Sequence, residues 1–339
     1  MMPEYRYFHI SATGKLTAKE NLPDALSAFR KDGFLWLDYC EPAKADLEAL
    51  IESLHLHPLV VEDCVNENQI PKIEDYPHNT FILFNAFEYT DHTLKVSDIH
   101  AVIGDQYLLT VSGRDSAGQP MLKGIEHNIE NDLGNASQGP AYLLHVLLDR
   151  IVDQKFVAIE AIEEALDEAE DLLITDLDRF NPADLLHLRR NLLKLRKSLF
   201  HEREILVKIC RKDCPYIPDK AILYYRDVYD HLAKFFELTE SSREIVTSLM
   251  EMYVSLINNR MTKAANNTNI VVRRLTFITT IFMPLTLLAG IGGMSEWSMM
   301  TGPENWKISY PLFLAGMAAI GIVSYRLLKW IEKKKGTDQ

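Results

Sequence analysis

Two uncharged stretches decide the class of this sequence: LTFITTIFMPLTLLAGIGGMS (Leu275–Ser295) and ISYPLFLAGMAAIGIVSY (Ile308–Tyr325). The first has 21 residues and the second has 18, and neither contains Asp, Glu, Lys or Arg. A helix of about 20 apolar residues crosses the ~30 Å hydrocarbon core of a bilayer. The sequence therefore predicts two transmembrane helices near the C-terminal end, at residues 275–295 and 308–328.

Basic residues flank the outer ends of the two spans and predict their orientation. Arg273 and Arg274 precede the first span, and the tail at residues 329–339 is rich in lysine. The loop between the spans, residues 296–307, carries two acids and one base. Because positive charge is retained on the cytoplasmic side, we expect both chain termini in the cytoplasm and the loop outside. This topology fits a multi-pass protein of a plasma membrane, the inner membrane in a bacterium.

The charge of the chain is unevenly distributed. The net charge of the 339 residues is -12. From residue 271 onward, eight Lys and Arg oppose four Asp and Glu, a net of +4, so the first 270 residues carry -16. Such an acidic body argues against nucleic acid as a partner, because phosphate binding requires a basic face. It favours divalent cations or basic partners, and four cysteines are too few for a disulfide framework.

Residues 1–135 have the pattern of a mixed α/β domain, which we expect to be cytoplasmic. Alternating apolar residues predict four strands, and short amphipathic segments predict three helices. The predicted strands cover residues 5–10, 34–39, 80–89 and 98–111, and the predicted helices cover residues 42–54, 58–66 and 119–133. The stretch GNASQGP at residues 134–140 predicts a linker.

Residues 136–218 predict an antiparallel pair of helices with opposite charge. The second half of the first helix, Glu160–Asp178, has nine acidic and no basic residues, whereas the second helix, residues 184–213, is basic. Asn181 between them is a good N-cap, and Pro182 suits the first helical position. The acidic run fits two roles: a solvated face paired with the basic helix, or a field that concentrates cations.

A third helix is predicted to begin near residue 219, and neither Pro nor Gly interrupts it before Pro284. Its length, roughly 98 Å at about 1.5 Å per residue, exceeds that of ordinary globular helices. The sequence therefore predicts a stalk at residues 219–274 that leads directly into the first span.

One narrow face of the first span collects polar, small and flexible residues. At about 100° per residue, all of them fall within about 60° of Val272 on either side. They are Asn269, Val272, Leu275, Thr279, Met283, Thr286 and Gly290. A simple lipid anchor needs no such stripe, which is typical of either a pore lining or helix packing in a membrane. A pore would require several chains around an axis, because one copy has a single face of this kind.

Three segments of the chain resemble the CorA family of divalent-cation channels. They are TFITTIFMPLTLLAGIGGMS (Thr276–Ser295), HPLVVEDCVNENQIPKIEDY (His57–Tyr76) and YYRDVYDHL (Tyr224–Leu232). The resemblance covers nearly the whole chain in the same order. It implies an α+β membrane protein with an N-terminal cytoplasmic α/β domain, a long helical stalk and two C-terminal transmembrane helices. It also implies a homopentameric funnel in which the stripe on the first span lines the pore.

The selectivity motif of the family is altered in this sequence. Its Gly-Met-Asn is Gly293-Met294-Ser295 here. In the family the Asn is thought to bind the hydrated cation through its side-chain oxygen, whereas Ser is shorter and its hydroxyl donates as well as accepts. The loop acids Glu296 and Glu304 would then supply more of the attraction. Some branches of the superfamily move zinc, so the sequence leaves open Mg²⁺, Co²⁺, Ni²⁺ and Zn²⁺ as the transported ion.

The resemblance further implies a regulatory metal site made of two acids across a subunit interface. Matching motifs place these acids at Asp63 and Asp227. Two carboxylates brought together repel each other unless a cation lies between them. Mg²⁺ or another divalent cation would thus be both the substrate and the regulator. The alternative is that both residues are ordinary acids on helix surfaces.

Motifs that would indicate other functional classes do not occur in the sequence. An ATP-driven pump would need G-x-x-x-x-G-K-[ST], so we expect passive transport. No H-E-x-x-H or G-x-S-x-G occurs either, and we expect no enzymatic activity. His55 and His57 are two residues apart and would not share a helix face, which argues against zinc there. Two alternative functions are a zinc transporter of the same superfamily and a membrane-anchored metal sensor or scaffold that conducts nothing.

Overall fold

The computed structural model describes residues 3–29, 32–66, 68–131, 139–293, 302 and 304–335. The chain forms two compact units, Met1–Tyr253 and Val254–Gln339. The first unit holds the β-sheet and most of the helices. The second holds the end of one long helix and the last helix of the chain.

A seven-stranded sheet lies in the first unit. Its strands are β1 (Glu4–Ile10), β2 (Leu16–Lys19), β3 (Phe34–Cys40), β4 (Lys72–Tyr76), β5 (Asn79–Thr90), β6 (Thr93–Ile103) and β7 (Tyr107–Ser112). Their spatial order is β2-β1-β3-β7-β6-β5-β4, with β3 parallel to β7 and the other neighbours antiparallel. Three predicted strands are confirmed as β1, β3 and β5. The short, polar strands β2 and β4 were not predicted.

The single strand predicted at residues 98–111 is wrong, because the chain turns there between β6 and β7. The N–H of Gly104 donates to the carbonyl of Tyr107 at 3.0 Å across this turn. A Cβ at position 104 would lie 2.3 Å from the Tyr107 ring, so the turn requires glycine. Ile103 and Leu108 then pair as partners in the hairpin. Apolar residues on both sides of Gly104 conceal this turn from a pattern of alternation.

The helices of the chain are short near its beginning and long after residue 139. They are α1 (Leu22–Phe29), α2 (Lys44–Glu48), α3 (Ile51–Leu54), α4 (Pro58–Val65), α5 (Ile125–Asn131), α6 (Pro140–Thr175), α7 (Pro182–Cys210), α8 (Ile222–Gly292) and α9 (Trp306–Lys335). The helix predicted at residues 42–54 is in fact two, α2 and α3. The helix predicted at 58–66 is confirmed as α4, and that predicted from residue 119 begins at Ile125.

Different parts of the chain cover the two faces of the sheet. On one face, Leu37 of β3 and Leu109 of β7 belong to a buried cluster with residues of α2, α3 and α4. On the other face, Ile82 of β5 and Thr110 of β7 line a small buried space together with Ile151 of α6. This alternation along β3, β5 and β7 is that of strands buried on both faces. The connections that leave the sheet therefore lie on opposite sides of it.

The predicted break between α6 and α7 is confirmed. Asn181 is the N-cap of α7, and its Oδ1 accepts a hydrogen bond from the Ala183 N–H at 3.1 Å. Pro182 occupies the first turn of α7. Basic side chains of α7 form ion pairs with other elements, of which Arg196 with Glu240 in α8 is one.

A buried ion pair joins α6 and α7 to the sheet. The Nζ of Lys155 contacts Oε1 of Glu202, and both side chains are fully buried. The same oxygen accepts a hydrogen bond from the Asn85 N–H in β5 at 2.8 Å. Burial lowers the pKa of Lys155 and raises the pKa of Glu202, while their mutual attraction opposes both shifts. Each charge is thus tolerated in the interior because the other is present.

The second unit holds the two apolar segments. Helix α8 continues through Pro284 to Gly292, and both α8 and α9 contain a stretch long and apolar enough to cross a membrane. At the end of α8, a Cβ on Gly292 would lie 2.6 Å from Cζ of Phe313 in α9, so glycine allows the two helices to approach. The predicted α/β first part, long helix and pair of apolar C-terminal helices are confirmed.

We expect single changes in the buried ion pair to destabilise the protein more than a double change. Lys155→Met leaves the Glu202 carboxylate unpaired, and Glu202→Gln leaves the Lys155 ammonium unpaired. Each single change should lower the free energy of unfolding by about 3–5 kcal/mol. The double variant removes both charges and keeps an acceptor for the Asn85 N–H. Thermal unfolding of the detergent-solubilised protein measures the three effects. Additive losses in the double variant would contradict this account of the pair.

Candidate metal centre and ion pathway

Three side chains from α6 and α8 form a cluster with the geometry of a metal site. Asp149 lies on α6, and Asp227 and His231 lie one turn apart on α8, on the same helix face. One ligand atom from each residue lies within 4.8 Å of the other two. Asp149 and His231 are half-buried, and Asp227 is exposed. The cluster is therefore open to solvent on one side.

The electrostatics of this cluster favour a cation. Burial raises the pKa of the Asp149 carboxyl, and the nearby Asp153 and Asp227 raise it further, while His231 opposes them. A divalent ion would offset the repulsion between the carboxylates. Carboxylates alone suit Mg²⁺, and an added imidazole also suits Co²⁺, Ni²⁺ or Zn²⁺.

Aromatic packing next to the cluster sets the contact between α6 and α8. The Tyr225 hydroxyl donates to the carbonyl of Ala141 at 2.6 Å, and the Tyr225 side chain is fully buried. One turn before Asp149, the ring of His145 lies 5.2 Å from that of Tyr224. These contacts hold the start of α8 against α6, which brings Asp227 close to Asp149.

The two acids predicted for the regulatory site have different surroundings in the chain. Asp63 lies on α4, and its Oδ2 accepts a hydrogen bond from Lys72 Nζ at 2.8 Å. Asp227 lies in the cluster with Asp149 and His231. The pairing of Asp63 with Asp227 across two subunits stays a prediction.

Sequence reasoning missed Asp149 and His231. A local signal for His231 exists, because it follows Asp227 by four residues on a predicted helix. Asp149 has no local signal of this kind, since it is 78 residues away from Asp227 and belongs to another helix. Only the packing of α6 on α8 brings it to the site.

The seven residues of the predicted pore stripe all lie on α8 and are exposed. Four of them line one open groove of about 650 Å³ on this helix. These four are Thr279, Met283, Thr286 and Gly290. Asn269, Val272 and Leu275 lie nearer the start of the helix, outside this groove. The predicted stripe is therefore a continuous feature whose second half is concave.

The threonine hydroxyls in the groove use their protons in hydrogen bonds to the helix backbone. The Thr279 hydroxyl donates to the carbonyl of Leu275 at 2.7 Å, and the Thr286 hydroxyl donates to that of Phe282 at 2.8 Å. Each hydroxyl proton is thereby directed at the backbone, as is common for Thr in helices. The oxygen lone pairs are left as acceptors. Acceptor oxygens are what a hydrated cation requires of its surroundings.

The motif that would close the pore mouth is only partly described by the structure. Gly293 follows the last turn of α8, and its N–H donates to the carbonyl of Ala289 at 3.0 Å. Met294, Ser295 and Glu296 lie outside the described residues. Glu304 precedes α9 and is exposed. The roles of these residues in selectivity stay predictions.

Comparison with known proteins identifies the relatives of this chain. The sequence model of the family described as "CorA-like Mg2+ transporter protein" matches residues 31–332. The cobalt/magnesium transport protein CorA of Thermotoga maritima is 33% identical over 288 residues, which are 84% of this chain and 78% of that protein. The zinc transport protein ZntB of Yersinia enterocolitica is 21% identical over 315 residues, 91% of each chain.

A solved structure has the same fold. The complete structure of the CorA magnesium transporter from Methanocaldococcus jannaschii matches with a TM-score of 0.70. The match covers 96% of each chain, at 21% sequence identity. At that identity, the match supports the fold and not the choice of ion.

We expect Co²⁺ to stabilise the protein through the Asp149 cluster, and less so at low pH. Because the folded-state pKa of Asp149 is raised above its unfolded value, ionised Asp149 destabilises the metal-free protein. As the pH falls through the raised pKa, the proton competes with the ion, so stabilisation by Co²⁺ should be largest well above that pKa and decline as the pH falls through it. Saturating Co²⁺ should add about 2–3 kcal/mol at pH 7.5.

Thermal unfolding with and without Co²⁺ measures this stabilisation. Asp149→Asn should abolish most of it. Glu160→Gln, at an exposed acid about three turns further along α6, is the matched control and should retain it. An unchanged Co²⁺ response in Asp149→Asn would place the bound ion elsewhere.

Proposed function

The chain belongs to the CorA-like Mg²⁺ transporter family, and we propose that it moves divalent metal cations passively across a membrane through a central pore. The observation that carries this proposal is the groove on α8, where two threonines donate their hydroxyl protons to the backbone and keep oxygen lone pairs as acceptors, in a span without charged residues. A hydrated ion needs such acceptors and a path that avoids lipid. The Thermotoga maritima relative, 33% identical, is named for cobalt and magnesium transport, which favours Mg²⁺ and Co²⁺ as the transported ions.

A pore requires several copies of α8 around one axis. Leu275 is 61% and Met283 72% exposed in the single chain, as residues on a pore-lining face would be before the copies assemble. We infer a homopentamer, the number implied by the resemblance. The pore would then be lined by five copies of the stripe. In this arrangement the first unit and the C-terminal tail lie in the cytoplasm, and the membrane is the plasma membrane, the inner one in a bacterium.

Cytoplasmic divalent ions would close this pore. The Asp149 cluster binds an ion between α6 and the helix that continues into the span, and Asp63 of a neighbouring copy would add a carboxylate near Asp227. Bound ions would hold these acids together; their loss would let the carboxylates repel and the helices separate. The same ion is thus the substrate in the pore and the regulator at the cluster.

We expect the groove threonines to be required for flux. Thr279→Val/Thr286→Val removes two acceptor oxygens per subunit, each worth about 0.5–1.5 kcal/mol. Mg²⁺ flux into liposomes containing the purified protein should fall about tenfold or more. Thr280→Val is the matched control: its hydroxyl also donates to the backbone, at 2.7 Å to Thr276, but it lies about 100° away from Thr279 on the helix.

Each result of this flux assay has a distinct meaning. Loss in the double variant with normal flux in Thr280→Val supports the groove as the ion path. Equal flux in all three proteins would place the path elsewhere. No flux in the wild-type protein would favour the alternative of a metal sensor or scaffold that conducts nothing.

We expect Ser295→Asn to raise Mg²⁺ flux relative to Co²⁺ and Zn²⁺. The Asn amide projects its oxygen further than a Ser hydroxyl and contacts the water shell of an ion that dehydrates reluctantly. The same liposome assay with pairs of competing ions measures the ratio. A wild-type preference for Zn²⁺ would support the zinc-transporter alternative. Equal ratios in wild type and Ser295→Asn would show that selectivity lies along the α8 groove.

A further inference from the structure

The connections around β3 and β7 create a topological switch point in the sheet. These two strands are parallel neighbours, with Leu35 beside Tyr107 and Cys40 beside Ser112. After β3 the chain passes to α2–α4 on one face, and after β7 it passes towards α6 on the other. Adjacent parallel strands whose connections leave in opposite directions open a crevice at their carboxyl ends. In open α/β sheets, ligands bind in that crevice.

A cavity of about 570 Å³ lies at this crevice. Glu41, from the end of β3, and Ser112 and Gly113, from the end of β7, line it. Asn66 and Asn68 line it as well, beyond the end of α4. Its volume is within the range of small-molecule sites, and its mixed lining of amides, a hydroxyl and valines is typical of them. Neither the Asp149 cluster nor the groove on α8 shares a residue with it.

Partners within the chain engage the acids and the arginine at this cavity. Asp98 accepts hydrogen bonds from the Asn85 side chain at 2.7 Å and from the Gln69 N–H at 2.9 Å. Arg114 forms an ion pair with Glu41 at 3.3 Å. The charged groups of Asp98, Arg114 and Glu41 therefore already have hydrogen-bond or ion-pair partners within the chain.

Lys95, an exposed residue opposite Glu88 of β5, lines the cavity with its ammonium group. Its Nζ donates to the carbonyl of Arg114 at 3.4 Å. Within the described part of the chain, no carboxylate lies within ion-pair distance of it. His100, which also lines the cavity, does not add charge, because burial and the nearby Lys72 lower its pKa to about 4. The buried Ser112 hydroxyl has no hydrogen-bond partner among the described residues.

We propose that this cavity binds a small organic anion whose phosphate or carboxylate group pairs with Lys95. The amides of Asn66 and Asn68 and the Ser112 hydroxyl are available for the polar body of the ligand. This site lies in the first unit and shares no residue with the Asp149 cluster or with the groove on α8.

Thermal unfolding of the full-length, detergent-solubilised protein tests the proposal with two probes. Ribose 5-phosphate represents the phosphate class and succinate the carboxylate class, with ribose and an equal ionic strength of sodium chloride as references. Free Mg²⁺ is held constant so that the metal centre does not contribute. We expect at least one probe to raise the unfolding midpoint by about 2–4 °C, and the better probe identifies the class of anion. No rise above the chloride and ribose references would overturn the proposal.

Two variants separate a built site from general charge effects. Lys95→Gln removes the positive charge. Gly113→Val adds a side chain at a residue that lines the cavity, where a Cβ meets nothing within 4 Å. Both should lose most of the probe-dependent rise, whereas Lys15→Gln, an exposed lysine on another part of the chain, should keep it. A probe response that survives both variants would contradict binding in this cavity.

Discussion

Repulsion between Asp149 and Asp227 is the physical constraint from which the proposed regulation by a divalent ion follows. The buried Tyr225–Ala141 hydrogen bond and the rings beside it hold α6 against α8, and so hold these carboxylates together. Burial and neighbouring acids raise the pKa of Asp149, which shows that its ionised form is disfavoured without compensation. A divalent cation bound between the carboxylates would supply that compensation. The helix that carries Asp227 is also the helix that continues into the first apolar span, so the cluster and the proposed ion path would belong to one element.

The composition of α8 changes along its length in the order that an ion-regulated pore helix requires. The first part of the helix carries an acid and a histidine that suit a metal ion. Its last part is an uncharged stretch whose threonine hydroxyls donate to the helix backbone. Membership in the CorA-like Mg²⁺ transporter family agrees with this division. The anion cavity at the switch point is a separate feature, produced by the topology of the sheet. The proposed cation sites thus lie on the long helix α8, and the proposed anion site lies at the ends of β3 and β7.

Much of the fold follows from patterns that the sequence displays locally. Absence of charge marks both spans, and the Asn181–Pro182 cap marks the start of α7. The prediction was wrong where apolar character continues through a turn, as at Gly104, whose need for glycine arises from the Tyr107 ring. One of the three cluster residues, Asp227, lies in a segment that the sequence singles out, whereas Asp149 is brought to it only by tertiary packing. Ser295 lies outside the described residues, so the prediction for its effect on ion selectivity rests on the chemistry of its side chain.

Hydrogen–deuterium exchange of the full-length protein, with and without Mg²⁺, tests the central claim most directly. If the ion links α6 to α8, Mg²⁺ should slow exchange in peptides that contain Asp149 and in those from Ile222 to Tyr253. The D149N/D227N variant lacks both charges and should exchange at the same rate with and without Mg²⁺. Equal Mg²⁺ protection in the wild type and this variant would contradict the claim that the cluster holds the regulatory ion.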